Sequence, residues 1–149
     1  MGSLKQLTGR RVYLDANILI YALEGILTYQ PVIQELFTRS AEGELDLFTS
    51  ELSLAEMLVK PIRNGDVAAQ QRCRELVTPR SGFDVRPVGR EALVRAAEFR
   101  ARTRLKLPDA IHAATAQLAR CDVFLTNDRR LENLENIQIV ILSEISFDV

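Results

Sequence analysis

Arg11-Val12-Tyr13-Leu14-Asp15-Ala16-Asn17-Ile18-Leu19-Ile20-Tyr21-Ala22-Leu23 is the stretch on which the fold turns. It opens as a short β-branched and aromatic run that stops at a carboxylate, and it continues with the apolar spacing of a helix. That is a strand, a tight turn and a helix in immediate succession. Similar short apolar strands recur at Leu45–Phe48, Phe83–Arg86, Val123–Leu125 and Ile137–Ile141. Helical periodicity fills the intervals at residues 18–24, 30–41, 51–60, 66–77, 90–105 and 109–120. Strands alternating with helices of this length imply right-handed crossovers and a parallel sheet covered on both faces, so the fold class is α/β. Pro108 suits the first position of the helix that opens at Asp109, and Gly65 follows a helix with Lys60 and Arg63 in its last turn. The segment 109–119 is apolar on almost every side, as a helix sunk into the interior is.

The chain has 149 residues, 47% apolar and 26% charged, which fits one globular domain able to bury a core without disulfides or a structural metal. No apolar run approaches the ~18 residues of a membrane span, and MGSLKQLTGRR lacks the apolar centre of a signal peptide. A cytoplasmic protein with no membrane partner is expected. Cys73 and Cys121 form no CxxC pair, so they read as buried thiols rather than zinc ligands. Nineteen basic residues against 20 acidic ones give a net charge of −1, which argues against binding nucleic acid through bulk positive charge. Arginines nevertheless crowd the stretch from Arg80 to Lys106, where a solvated helix face is the first reading and a few phosphate contacts the second.

Four acids stand where a carboxylate is awkward. Asp15 closes an apolar strand, Glu56 interrupts an apolar helix, Asp109 opens the buried helix, and Asp128 follows Val123-Phe124-Leu125-Thr126-Asn127. An ionised carboxylate in apolar surroundings must be paired, protonated or bound to a metal. In an open parallel sheet, ligands bind outside the carboxyl ends of the strands where the strand order reverses. With five strands in the order 3-2-1-4-5, Asp15 and Asp128 meet across that crevice, with Glu56 and Asp109 beside it. Two carboxylates ~4 Å apart repel by ~4 kcal/mol at an effective dielectric near ~20, and a divalent cation removes the conflict. An all-oxygen ligand set selects Mg²⁺ or Mn²⁺ over zinc. Neither GxGxxG nor a phosphate-binding GxxxxGK[ST] loop occurs, and a lone His112 supports no acyl-transfer triad.

The segments Val12–Asn17, Thr49–Glu56, Leu107–Ala116 and Phe124–Asp128 together resemble a PIN domain, and most closely the VapC-like ribonuclease toxins of bacteria and archaea. The resemblance runs from about residue 10 to 142. It implies a three-layer α/β/α fold, with the family's acidic positions falling on Asp15, Glu56, Asp109 and Asp128 and its accessory polar positions on Asn17 and Thr126. It further implies Mg²⁺-dependent cleavage of RNA, a small antitoxin as partner and a homodimer. A non-catalytic module that keeps the acids and binds RNA or protein is the rival reading.

Each residue also has a plainer role available. Asn17 can cap the helix that follows it. Ser53-Leu54-Ala55-Glu56 spells a capping box, in which Glu56 serves only a backbone amide, whereas a cap at Ser50 leaves Glu56 inside the helix and is the favoured reading, with Glu51 as the substitute. Asp109 can be a first-turn acid, Asp128 a surface partner of Arg129 or Arg130, and His112 a packed core residue.

Overall fold

A computed structural model describes residues 2–131 and 134–146 of the chain. Strands β1 (Arg11–Leu14), β2 (Asp46–Ser50), β3 (Phe83–Arg86), β4 (Val123–Thr126) and β5 (Gln138–Ile141) form one parallel sheet in the order 3-2-1-4-5, as predicted. Val12 lies opposite Leu47 on one side and Val123 on the other, which places β1 at the centre. A second, two-residue parallel pairing joins Gly2–Ser3 to Ile145–Ser146.

Period-2 alternation along the strands divides the core into two apolar clusters, one on each side of the sheet. Val12, Leu14, Leu47, Val123 and Leu125 pack against helices α1 (Ala16–Glu24), α2 (Gln30–Ala41), α3 (Glu51–Arg63) and α4 (Val67–Leu76). Tyr13, Phe48 and Phe124 pack against α5 (Arg90–Arg102) and α6 (Leu107–Leu118). Residues Ala110 to Ala116 of α6 are all buried, which matches the all-round apolar character of that segment. Cys73 and Cys121 are free and buried. No helix among the described residues is long and apolar enough to cross a membrane.

Several boundaries differ from expectation. α1 begins at Ala16, because the Asp15 carboxylate caps it by accepting from the Ala16 amide. Asn17 therefore lies inside the helix and is not its cap. α6 begins at Leu107, so Pro108 is its second residue and not its first. α5 stops at Arg102 instead of 105, where the Thr103 hydroxyl takes up the Phe99 carbonyl at 2.7 Å.

Candidate functional site

The carboxyl ends of β1 and β4 adjoin, since Leu14 pairs with Leu125 and the Asp15 amide donates to the Leu125 carbonyl at 3.0 Å. Asp15, only 7% exposed, accepts from the Thr126 hydroxyl at 2.6 Å through Oδ2 while Oδ1 caps α1. Thr126 Oγ1 also accepts from the Asp128 amide at 3.1 Å. One buried hydroxyl thus ties the acid after β1 to the turn that carries the acid after β4.

β2 runs into α3 without a loop, and Ser50 caps that helix by accepting from the Leu52 amide at 3.1 Å. Thr49 Oγ1 bonds the Leu14 carbonyl at 3.0 Å and the Ser53 hydroxyl at 2.7 Å, which fastens the first turn of α3 to the end of β1. Glu56 is one turn beyond Ser53 on the same helix face. It is therefore interior to the helix, as the cap at Ser50 predicts, while Glu51 is exposed in the first turn. Glu56 Oε1 lies 2.5 Å from His112 Nε2, and His112 Nδ1 lies 2.7 Å from the Tyr13 hydroxyl. His112 is the packed, hydrogen-bonded core residue the sequence suggests, and it also reaches the site, a connection the sequence did not disclose.

Asp109 is half-buried in the first turn of α6. Burial pushes its carboxyl above the ordinary range, and the charges of Asp15, Asp128 and Glu56 push in the same direction, with His112 opposing them. Acids from four separate elements therefore share one electrostatic neighbourhood. Asp128 is held the other way: Arg130 donates from Nε to Oδ1 and from Nη2 to Oδ2, both at 2.9 Å, and this fork lowers its proton affinity. Among the described residues no three His, Cys, Asp or Glu side chains stand arranged to hold a metal ion. Three of the acids have protein partners: Glu56 is engaged by His112, Asp128 by Arg130, and Asp15 by Thr126 and the α1 amide.

The donor set nevertheless suits a hard cation. All four acids offer oxygen, the charge conflict on Asp109 is of the kind a cation relieves, and Asn17 Oδ1 is buried with no hydrogen-bond partner. Beside Asp109 and Asp128 opens a groove of about 690 Å³ whose walls include Arg102, Arg104, Lys106 and Arg130. Arg80 and Arg86, from the same arginine-rich stretch, instead stack over Phe83 and Phe48.

Comparison with solved structures gives the same architecture. VapBC2 from Rickettsia felis bound to a DNA fragment from its promoter matches with a TM-score of 0.70 at 15% identity, over 88% of this chain and 98% of that one. A toxin–antitoxin complex from Klebsiella pneumoniae matches at 0.63 and 23% identity over 88% and 97%. VapC20 from Mycobacterium tuberculosis, described as a toxin that cleaves the sarcin-ricin loop, matches at 0.62 and 14% over 76% and 86%. By sequence alone no curated protein matches. The PIN domain family model matches residues 12–137, which is most of the chain and includes all four acids. With that match over most of its length, the chain belongs to the PIN domain family.

Proposed function

We propose that the protein is a metal-dependent endoribonuclease, the toxin of a toxin–antitoxin pair, working through Asp15, Glu56, Asp109 and Asp128. The observation that carries the reading is the PIN family match over residues 12–137, all four acids included, on a fold in which the Thr126 hydroxyl ties Asp15 to the turn of Asp128; the burial of Asp109 and the charges of Asp15, Asp128 and Glu56 around it agree with that. Such a cluster is unfavourable without a cation and gives a reason for one to bind.

Asp15, Glu56, Asp109 and Asp128 would hold Mg²⁺ or Mn²⁺. When bound, that ion supplies Lewis acidity for in-line attack of water on a phosphodiester and offsets charge on the departing 3′ oxygen. Asp15 presents its carboxylate rigidly because both oxygens are anchored. Thr126 keeps the Asp15 and Asp128 supports in register, and Asn17 Oδ1 offers a free acceptor to a water beside the acids. Arg102, Arg104 and Lys106 line the neighbouring groove, where a single RNA strand can lay its phosphates. Local placement thus offsets the lack of net positive charge.

The partner in this reading is a small antitoxin, supported by the toxin–antitoxin assemblies among the structural neighbours. On the helical layer away from α5 and α6, Leu27 and Val67 are 85% and 75% exposed, and Val59 and Ile62 of α3 are exposed as well. These apolar side chains suit an antitoxin segment, and the active form is taken as a homodimer in the cytoplasm.

The test is cleavage of labelled single-stranded RNA in Mg²⁺ and in chelator. Asp15→Asn keeps a side-chain oxygen for the cap of α1 but removes a ligand charge. It should lower cleavage at least ~100-fold while the protein stays folded. Unchanged cleavage by Asp15→Asn, or full cleavage in chelator, contradicts the assignment. A second reading, a non-catalytic PIN module, draws on the fork that Arg130 places on Asp128. It predicts RNA retention that is indifferent to metal and leaves the RNA intact.

A further inference from the structure

Glu56 reaches the acid cluster from the middle of α3, and its other side is held by two buried residues to which the proposed chemistry assigns no task. We propose that His112 is a positioning residue: the Tyr13 hydroxyl fixes its Nδ1 side, and its Nε2–H in turn fixes Glu56 in place before any ion arrives. The inference rests on the metal-site reading given above.

With a neutral ring, the chain of contacts takes one proton arrangement. A neutral imidazole carries one donor and one acceptor, and an ionised carboxylate only accepts. Glu56 Oε1 at 2.5 Å therefore requires the proton on Nε2, which leaves Nδ1 as the acceptor for the Tyr13 hydroxyl at 2.7 Å. Burial drives the Tyr13 hydroxyl far above the ordinary tyrosine range, so it keeps the proton that it must donate. The phenol cannot drift, because its ring stacks on Phe124 with centroids 5.2 Å apart and meets the His112 ring edge-on at 5.7 Å.

Burial falls in steps along the relay. Tyr13 and His112 are within the core, while the Glu56 side chain is 34% exposed. The Tyr13 hydroxyl meets one ring nitrogen, and the other is turned to a carboxylate at the edge of the core, not to a buried acceptor. A free glutamate has three rotatable bonds to order when it binds an ion, and a partner that orders them beforehand lowers the cost of binding. His112 also lies one turn after Asp109 on α6. The helix that carries one acid thereby holds a second acid from α3, which couples the spacing of the two.

His112 is the only histidine in the chain, so a long-range ¹H–¹⁵N spectrum of the intact, metal-free protein reports its ring alone. The expected pattern is a slowly exchanging proton on Nε2, the nitrogen that faces Glu56. A ring that carries its proton on Nδ1 and none on Nε2, or a mixture of tautomers, overturns the relay. Calorimetric titration with Mg²⁺ then tests its purpose. His112→Leu should weaken Mg²⁺ by about 10–100-fold, and His112→Gln, whose amide restores a donor towards Glu56, should recover most of the loss. In a Glu56→Ala background, His112→Leu should add almost nothing, because the partner through which it acts has gone. Equal losses in both backgrounds would make His112 a structural residue only and would overturn the proposal. If His112→Leu does not fold, Tyr13→Phe carries the same cycle by removal of a single hydroxyl. A wild type with the expected tautomer that binds no Mg²⁺ overturns the metal reading and with it the purpose of the relay. The wrong tautomer with intact Mg²⁺ binding overturns the relay alone.

Discussion

Asp109 serves its helix and strains its site. In the first turn of α6 the helix dipole favours its charge by ~0.3–1 kcal/mol, while burial and the charges of Asp15, Asp128 and Glu56 disfavour it. The net direction is a raised pKa, so the folded chain binds this proton more tightly than the unfolded one. Stability therefore falls as pH rises through the carboxylate range and stays lower at neutral pH. Asp109→Asn should melt about 2–4 °C higher than the parent at pH 7 in chelator, for ~1 kcal/mol of relieved repulsion. The gain should disappear below about pH 4, where the carboxyl is protonated in both states. In saturating Mg²⁺ the order should reverse, since only the parent keeps the complete ligand set. Thermal melts at the two pH values, with and without metal, check all three. A lower melting point for Asp109→Asn at pH 7 in chelator would place the acids too far apart to conflict. Asp128 behaves in the opposite sense: Arg130 depresses its pKa, and its contribution is lost as pH falls through that depressed value.

At the scale of elements, the entry to β3 has no room for a side chain. Gly82 has φ +79°, and a Cβ there would meet the Ser40 carbonyl oxygen at the end of α2 at 2.1 Å. Gly82→Ala should cost ~3 kcal/mol or more and lower the melting point by roughly 6–12 °C, because it combines left-handed strain with a clash against backbone. A loss below ~1 kcal/mol in denaturant titration would show that the approach relaxes freely. Residues 11–24 were legible as strand, turn and helix because period and punctuation change together at Asp15. The end of α3 is legible only in part. The helical periodicity covers only 51–60, while Lys60 and Arg63 before Gly65 mark the last turn, and the helix does run to Arg63. Pro61 has no amide to give the Met57 carbonyl, and the Cys73 thiol from α4 approaches that oxygen at 3.8 Å. The acids of the site were legible one by one because each interrupts an apolar pattern. Their partners were not, because Glu56 meets His112 across 56 positions and Tyr13 meets His112 across 99, distances no local pattern spans.

For the whole molecule, a parallel sheet with β1 at its centre brings every strand's carboxyl end to one edge, where Asp15 follows β1 and Asp128 follows the end of β4. Charge is distributed to match: the total is −1, while Arg102, Arg104 and Lys106 gather in the groove beside Asp109 and Asp128. If acids from four elements converge on one cation, paramagnetic broadening by Mn²⁺ measures that convergence directly. At substoichiometric Mn²⁺ the backbone amide signals of Asp15, Asn17, Glu56, Asp109 and Asp128 should fade together, while those of Gly9 and Gly82 at the opposite ends of the strands keep their intensity. Broadening that leaves Asp15 or Glu56 sharp, or that spreads evenly over the surface, would contradict it.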